Sequence, residues 1–214
     1  MLKLYSFSKV NKMARGHTRD LRVLWALEEM QLPFEIVGMD HPAKDLSAEF
    51  YHHINPFEQI PSIDDDGLVV TESGAILLYL ARKSGKLIPA DLAGEAQVMR
   101  WSFAAMNSLE IPLMSLMMID WSEKPDACTG HREFLAGWAE RHVSNLDGWL
   151  EKREWIATND FTVADILMAH VLTGIKDGSP LAKHKHVIAY RDRCFARPAW
   201  KRAMESYMAR VVAD

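Results

Sequence analysis

The chain has 214 residues, of which 49% are hydrophobic and 25% charged, as is typical of a globular protein with one large core or two small ones. Its net charge of −4 and its lack of like-charge runs argue against a nucleic-acid-binding surface. Its apolar stretches fall short of the roughly 18 residues that cross a bilayer, and its N-terminus lacks a signal-peptide core, so we expect a cytoplasmic protein with no membrane contact.

The thiols of the chain are confined to Cys128 and Cys194. Two cysteines are too few for a disulfide framework or a cysteine-rich zinc site. Because neither precedes residue 128, a CxxC or single-cysteine redox centre is excluded from the N-terminal third, and any reactive sulfur there must come with a ligand. The paired histidines at 52–53 and 184–186 lack the spacing of a zinc site, so we expect no metal.

Strand and helix patterns alternate through the N-terminal part of the chain. They predict strands at Leu2–Phe7, Phe34–Val37, Ser62–Asp64 and Leu68–Val70, and helices at Asp20–Gln31 and Ser73–Arg82. The last two strands form a hairpin around Asp66-Gly67, and the order of elements gives a small mixed sheet. The polar connection of residues 38–61 contains one short helical pattern at Asp45–Tyr51, and a loop of that length is often functional.

The rest of the chain is almost entirely helical in pattern. After a connector at residues 87–91, we predict helices at Glu95–Leu109, Gly130–Lys152, Thr162–Gly174 and Lys183–Arg197, interrupted at Pro112, Pro125, Pro180 and Pro198. Phe161 to Ile166 is a strong helix start, in which Thr162 and Asp165 can cap each other's amides. The predicted organisation is an α/β domain at 1–82, a linker at 83–92 and an all-α bundle at 93–214.

Five residues, Gln59-Ile60-Pro61 and Glu72-Ser73, are suited to holding a small peptide. The Ile-Pro bond can be cis, since the tertiary amide lowers the trans preference to roughly 0.5–1 kcal/mol, and would then present the Ile60 backbone to an added strand. Ser73 and the first amides of its helix can bind a carboxylate, and Glu72 an ammonium. An α-amino acid carries both groups, which indicates a glutathione-type ligand. The alternative interpretation, when each feature is considered alone, is that Pro61 is an ordinary turn proline and that Glu72-Ser73 caps a helix.

Five segments occur in order along nearly the whole chain: Leu4 to Ser6, Arg22 to Glu29 with Leu32 to Glu35, Asn55 to Pro61, Glu72 to Ile76, and Phe161 to Ile166. Together they resemble the cytosolic glutathione S-transferase superfamily. The resemblance implies a thioredoxin-like N-terminal domain followed by an all-helical C-terminal domain, which agrees with the predicted elements. It also implies a homodimer that takes glutathione as its co-substrate.

The resemblance assigns roles to the five residues above. In the relatives, glutathione is bound by the residue before the cis-proline, here Ile60, and by the acidic-Ser pair, here Glu72 and Ser73. The side chain at the position of Gln59 often contacts the γ-glutamyl end. Pro61 matches the cis-proline itself.

A hydroxyl is needed to activate the thiol of glutathione. A thiol has a reference pKa near 8.5, and lowering it by about two units takes roughly 2.7 kcal/mol, which one hydrogen bond beside a helix N-terminus can supply. Serine-type relatives place this hydroxyl four residues before an arginine, which makes Thr18, before Arg22, the implied catalytic residue. The preceding segment is longer than usual, so three alternatives stay open: Thr18 as a plain helix cap, Ser6 or Ser8 as the donor, or Tyr5.

The resemblance implies an enzyme that adds the glutathione thiolate to a small hydrophobic electrophile. The electrophile is expected against the first long helices of the C-terminal domain, where methionines and tryptophans cluster between Met99 and Trp121. The alternative is a non-catalytic regulatory or interaction protein with the same fold. A disulfide reductase of the cysteine-type branches is disfavoured, because no cysteine lies near Thr18.

Overall fold

The computed structural model describes the backbone of residues 1–213, and their side chains except those of Pro125 and Ala213. The described chain divides into two compact units. The first joins Met1–Lys86 to the residues from Ala196 onward, and the second is Leu87–Phe195. The predicted domain and linker boundaries stay a prediction.

The first unit contains both strands and helices, and the regular elements of the second unit are helices. The strands are β1 (Leu2–Val10), β2 (Glu35–Asp40), β3 (Ser62–Asp65), β4 (Leu68–Thr71) and the short β5 (Val212–Ala213). The helices are α1 (Asp20–Met30), α2 (Glu49–Ile54), α3 (Ser73–Ser84), α4 (Leu92–Phe103), α5 (Glu110–Trp121), α6 (Thr129–Leu150), α7 (Val163–Val171), α8 (Lys185–Phe195) and α9 (Pro198–Arg210).

The sheet of the first unit has the strand order β2-β1-β3-β4. β2 runs parallel to β1, whereas β3 and β4 are antiparallel to their neighbours, and β5 adds a short parallel pairing to the end of β1. The β3–β4 hairpin turns at Asp66 and Gly67, which have φ values of 52° and 96°, as the Asp-Gly pair predicted. The predicted mixed sheet is therefore confirmed.

Helices α1 and α3 pack apolar side chains against the sheet of the first unit. α1 and α3 pack against each other, and fully buried residues of β1, α1 and α3 form the core, among them Leu4, Leu24, Trp25, Ile76 and Leu80. The final helix, α9, packs against α1. Trp200 lies 4.9 Å from Trp25 between ring centroids, and Arg197 donates to both carboxylate oxygens of Glu29 at 2.6 and 2.8 Å.

The helical unit contains a continuous helix where the sequence predicted a break. Leu92–Trp121 runs as one helix of 30 residues through Pro112, so the predicted interruption there is wrong. The cause is a π-helical segment, Ala104–Leu109, in which the N–H of Glu110 bonds the carbonyl of Ala105 five residues back. This wide turn ends just before Pro112 and gives the proline ring room that a regular α-helical turn lacks.

The same 30-residue helix is long and apolar enough, by length and composition, to span a membrane. Core helices of soluble proteins commonly satisfy this criterion as well. The expectation that the protein contacts no membrane therefore stays a prediction.

α7 lies at the centre of the helical unit and begins with the predicted capping box. Asp165 accepts from the Thr162 N–H at 2.8 Å, from the Ile156 N–H at 2.9 Å and from the Tyr190 hydroxyl at 2.8 Å. All nine residues of α7 are buried. Within Leu87–Phe195 the regular elements are helices, and together with the mixed sheet they confirm the predicted fold class, a thioredoxin-like α/β domain followed by an all-α one.

Candidate functional site

The Ile60-Pro61 peptide bond is cis, as predicted from the sequence. β3 begins one residue later at Ser62, which pairs with Tyr5 on one side and with Thr71 on the other. The backbone groups of Ile60 therefore lie outside the ladders that β3 forms with its two neighbours. An extended peptide can pair with backbone groups in such a position.

The residue before this junction is fixed by two hydrogen bonds. The carbonyl of Gln59 accepts from the Tyr51 hydroxyl at 2.7 Å and from Asn55 Nδ2 at 2.8 Å. Tyr51 is fully buried, and burial raises its pKa to about 12, so the phenol keeps the proton that it donates. Gln59 itself is exposed, which leaves its side chain accessible to a ligand.

Glu72 and Ser73 follow directly after Thr71, the partner of Ser62. The β3–β4 pairing therefore brings the acidic-Ser pair next to the cis-proline. Glu72 has φ 66° and ψ 116°, an unfavourable conformation for a residue with a side chain, which costs on the order of 1–3 kcal/mol. Its side chain is exposed, whereas Ser73 is buried at the first turn of α3. Backbone strain of this kind is concentrated at functional sites.

Ser73 is oriented by a buried arginine of α1. Arg22 Nη1 donates to Ser73 Oγ at 3.1 Å, and Arg22 is only 2% exposed. Because the guanidinium donates, the Ser73 hydroxyl keeps its own proton for an outside acceptor. The sequence pointed to Arg22 only as a marker for Thr18, and the structure adds this contact.

Thr18 lies just before α1, whose N-cap position is occupied by Arg19. The Thr18 side chain contacts Tyr207 of α9, with 2.8 Å between the two hydroxyl oxygens. Tyr207 is fully buried, and burial, followed by the charge of Asp20, raises its pKa. Within residues 1–213, Thr18 makes no hydrogen bond to Gln59, Glu72 or Ser73.

The other hydroxyls considered from the sequence have different surroundings. Ser6 is fully buried and donates to Asp20 Oδ2 at 2.5 Å, while Arg210 Nη2 donates to Ser6 Oγ at 3.0 Å. The proton of Ser6 is therefore already engaged. Tyr5 lies in an apolar cluster with Tyr51, 5.6 Å away between ring centroids, and burial raises its pKa. Ser8, in contrast, is partly exposed.

The structure thus brings Gln59, Ile60 and Pro61 together with Glu72 and Ser73 through strand pairing. Thr18 contacts Tyr207 instead, and the Arg210 guanidinium, which lies 5.9 Å from the Tyr207 ring centroid, belongs to a cluster with Ser6 and Asp20. Tyr207 and Arg210 were not identified from the sequence, because they lie 189 and 204 positions after the groups they contact, on a helix that was not predicted. Within residues 1–213, no group of three or more His, Cys, Asp or Glu side chains is arranged to hold a metal ion.

Known proteins match this chain along both parts of its length. The family model described as "Glutathione S-transferase, N-terminal domain" matches residues 13–82, and "Glutathione S-transferase, C-terminal domain" matches residues 137–198. An uncharacterized GST-like protein of Streptococcus mutans is 30% identical over 95% of this chain and 81% of its own length. The disulfide-bond oxidoreductase YghU of Escherichia coli is 27% identical over 94% of this chain and 73% of its own.

Solved structures agree with this assignment. A glutathione transferase from Burkholderia graminis, crystallised with two glutathione molecules bound per subunit, superposes with a TM-score of 0.84. It is 29% identical to this chain and covers 96% of it, with 88% of its own length matched. Both halves of the chain, its strand order and its cis-proline site thus lead to one conclusion: the chain belongs to the glutathione S-transferase family.

Proposed function

We propose that this protein is a glutathione transferase that joins the thiolate of glutathione to a small hydrophobic electrophile. The observation that carries the proposal is the pairing of Ser62 with Thr71, which sets the cis-proline junction beside Glu72 and Ser73. This arrangement offers a backbone edge, an anion and a helix N-terminus to one ligand. Glutathione presents a peptide backbone, an ammonium and carboxylates, which match these groups.

The binding mode follows from the chemistry of each group. The cysteinyl residue of glutathione pairs with the backbone of Ile60 like an added strand. Its γ-glutamyl ammonium meets the exposed carboxylate of Glu72, and its α-carboxylate accepts from the Ser73 hydroxyl and the first amides of α3. Gln59 adds a contact to the same end. The ion pair and the charge-assisted hydrogen bonds supply the specificity for an α-amino acid.

Thr18 is the group that we assign to thiolate stabilisation. Tyr207 is protonated at neutral pH, as any phenol with an ordinary pKa of 10.0 or higher is, so it can donate to Thr18 Oγ1 and leave the Thr18 proton free for sulfur. The engaged proton of Ser6 and the core position of Tyr5 favour Thr18 over both. The thiolate then attacks the electrophilic carbon, a C–S bond forms, and the leaving group departs with its electron pair.

A second candidate, reduction of disulfides, is favoured by two of the comparisons. YghU is named as a disulfide-bond oxidoreductase, and the Burkholderia graminis enzyme holds two glutathione molecules per subunit. In this reaction one glutathione thiolate attacks a disulfide RSSR and releases RS⁻. A second thiolate then attacks the glutathione sulfur of the mixed disulfide, which yields glutathione disulfide and the other RS⁻. This route needs no protein thiol, which suits a chain whose cysteines both lie in Leu87–Phe195.

The test combines a measurement of glutathione binding with one assay for transferase turnover and one for disulfide reduction. Calorimetry with glutathione is expected to show saturable binding, and assays with chloronitrobenzene, enal, isothiocyanate and hydroperoxide substrates to show glutathione-dependent turnover. A parallel assay with hydroxyethyl disulfide measures the reductase reaction. Turnover of the disulfide alone would assign the second function, binding without turnover would leave a non-catalytic regulatory or interaction protein, and absence of binding would remove the proposal.

The assembly and location are proposed from the family resemblance. We infer a cytoplasmic homodimer that takes glutathione and an electrophile as its small-molecule partners and has no nucleic-acid or membrane partner. Light scattering should give twice the 24.4 kDa mass of one chain. A monomer at micromolar concentration would contradict the inferred assembly.

A further inference from the structure

A buried carboxylate lies two residues after Thr18, at the start of α1. Asp20 is fully buried. Its Oδ2 accepts from the Ser6 hydroxyl at 2.5 Å and from the Phe7 N–H at 3.1 Å, whereas its Oδ1 has no hydrogen-bond partner among the described residues. Burying an ionised carboxylate is costly unless an opposite charge offsets it. Asp20 therefore needs a counter-charge.

The guanidinium of Arg210, the last residue of α9, supplies that charge. Arg210 Nη2 donates to Ser6 Oγ at 3.0 Å, and Arg210 Nη1 donates to the carbonyl of Phe7. Ser6 thus accepts from the cation and donates to the anion, which joins Arg210 to Asp20 through one hydroxyl. Burial lowers the pKa of Arg210, and the charge of Asp20 opposes that shift. Arg210 stays protonated, as arginines in proteins do.

Both charges act on Tyr207, the residue that contacts Thr18. Burial, and then the charge of Asp20, raise the pKa of Tyr207, whereas the charge of Arg210 lowers it. The guanidinium carbon of Arg210 lies 5.9 Å from the Tyr207 ring centroid, and the Tyr207 hydroxyl lies 2.8 Å from Thr18 Oγ1. The two charges are therefore close to the hydroxyl that we assign to the thiolate.

Other titratable groups surround this cluster. Tyr51 of α2 also feels the charge of Asp20, and burial raises its pKa to about 12, so it is a neutral phenol at neutral pH. Arg22 of α1 donates to Ser73, and Arg15 of the preceding loop donates to a backbone carbonyl of α9. These groups are unchanged in every variant described below, so they cannot account for a difference between variants.

We propose that Asp20 and Arg210 form a buried charge pair that tunes how readily bound glutathione loses its thiol proton. The inference rests on the proposed function, since it concerns the sulfur that Thr18 is assigned to stabilise. Residues two positions apart have Cα atoms at most about 7 Å apart, so the Asp20 charge is close to Thr18. A carboxylate at that position disfavours a thiolate, and the guanidinium cancels the effect.

Asp20 and Arg210 are positioning residues in this scheme. Asp20 is fully buried and cannot touch the ligand, and Arg210 is bonded to Ser6 and to the carbonyl of Phe7. Both act on the sulfur through the electrostatic field at Thr18. A field has a sign, and the sign gives the two residues opposite effects that a loss of packing does not produce.

The test is a double-mutant cycle read by ultraviolet titration of the thiolate of bound glutathione, which requires binding but no turnover. Asp20→Asn leaves the cation uncompensated and should lower the apparent pKa of bound glutathione by about one unit. Arg210→Met leaves the anion uncompensated and should raise it by about one unit. The variant with both changes restores neutrality and should titrate close to the wild type.

A purely structural role gives a different pattern. If the two residues merely hold α1 and the preceding loop in place, both single variants misplace Thr18, both raise the apparent pKa, and the double variant does not recover. Shifts of the same sign, or no shift in either single variant, would overturn the proposal. Arg210→Lys keeps the charge and should titrate closer to the wild type than Arg210→Met does.

Unfolding midpoints show whether each variant folds. If Arg210→Met does not fold, the lowered pKa in Asp20→Asn and its reversal in the double variant decide the question. A double variant that titrates like Asp20→Asn would then overturn the proposal, because the Arg210 charge would have no effect on the sulfur.

The same two helices provide a matched control pair. Arg202 of α9 donates to Glu28 of α1 at 2.7 Å, and the Arg202 side chain is 50% exposed. Arg202→Met and Glu28→Gln remove one cation and one anion from a pair that solvent screens, so each should shift the apparent pKa by less than about 0.2 units. Equal shifts from this surface pair and from the buried pair would assign the effect to net charge and overturn the proposal.

Calorimetry with glutathione precedes the titrations. A wild-type chain that does not bind glutathione would remove the proposed function and this inference with it. A wild-type chain that binds, with the same titration in every variant of the buried pair, would overturn the inference and leave the proposed function intact.

Discussion

The hydroxyl of Thr18 lies 2.8 Å from that of Tyr207, although the two residues are 189 positions apart in the chain. Helix α9 packs against α1 and carries Tyr207 to the start of that helix. Tyr207 is protonated at neutral pH, because the ordinary pKa of a phenol is 10.0 and burial raises that of Tyr207 further. The proposed thiolate donor is therefore oriented by a residue from the far end of the chain.

The first prediction tests this relationship. Thr18→Ala should raise the apparent pKa of bound glutathione by about one unit, because one hydrogen bond of roughly 1–1.5 kcal/mol to the thiolate is lost. Tyr207→Phe should raise it by less, since Thr18 remains but is no longer oriented. An ultraviolet titration of the thiolate measures both values. Tyr79→Phe, which removes a phenol outside the proposed site, serves as the control. An unchanged titration in Thr18→Ala would move the role to another hydroxyl.

The second prediction concerns Ser73. Ser73→Ala removes a hydrogen bond to the carboxylate of glutathione and should weaken binding by about 1.5–3 kcal/mol, as is usual for bonds to charged groups. Calorimetry measures the change directly. Ser84→Ala, at the other end of α3, removes a hydroxyl whose partners are backbone groups of Leu80, Ala81 and Lys86, and this variant should bind glutathione normally. Wild-type affinity in Ser73→Ala would count against the site.

Three features of the structure were predictable because their signals are local. The Ile-Pro step, the Asp-Gly turn and the Thr162–Asp165 box each involve residues within a few positions, and the structure contains all three. The break predicted at Pro112 was wrong because a single proline was considered without the π-helical segment that accommodates it. The succession of strands and helices along the first unit followed from the pattern, but the contacts of α9 did not.

The contacts that the sequence did not predict join distant parts of the chain. Arg22 donates to Ser73 across 51 positions, and Arg210 donates to Ser6 across 204. Side-chain pairs of this kind are set by how α1, α3 and α9 pack, and no periodicity in one segment encodes them. The hydroxyl assignment was left open at the sequence level for the same reason, since the engagement of Ser6 by Asp20 depends on the fold.

The third prediction separates binding from stability at Glu72. Glycine tolerates positive φ, so Glu72→Gly should leave the free energy of unfolding unchanged or raise it by up to about 1 kcal/mol. The same change removes the carboxylate proposed to meet the ammonium, so glutathione should bind more weakly. Denaturant unfolding and calorimetry on one preparation give both quantities. A variant that loses stability and keeps its affinity would show that the strained backbone has no binding role.

The fourth prediction concerns pH and Asp65. Hydrogen bonds from Lys83, and then from Tyr79, lower the pKa of this largely buried carboxyl. A lowered folded pKa contributes stability that is present above the ordinary value of 3.8 and is lost as pH falls through the folded pKa. Asp65→Asn should therefore lower the free energy of unfolding at neutral pH by about 1 kcal/mol, a small value because Lys83 is half-exposed and solvent screens the ion pair. Below pH ~4 the variant should lose stability less steeply than the wild type. Urea titrations at a series of pH values measure both effects, and equal stability of variant and wild type at every pH would show that the pairing is unimportant.

The fifth prediction concerns Asp165, the centre of the helical unit. Asp165→Ala leaves the Ile156 N–H, the Thr162 N–H and the Tyr190 hydroxyl without their acceptor in a fully buried place. Each orphaned donor costs about 1–3 kcal/mol, so the three together should cost at least about 3 kcal/mol, more than the roughly 0.5–2 kcal/mol of a lost helix cap. Asp160→Ala, two residues before Thr162 at an exposed position, should change stability by less than about 0.5 kcal/mol. Because α7 is buried along its whole length, water cannot readily replace the lost acceptor. A loss of stability in Asp165→Ala no larger than that of a helix cap would therefore mean that the neighbouring chain rearranges to satisfy the three donors. Hydrogen exchange at the amides of Ile156 and Thr162 would detect that rearrangement.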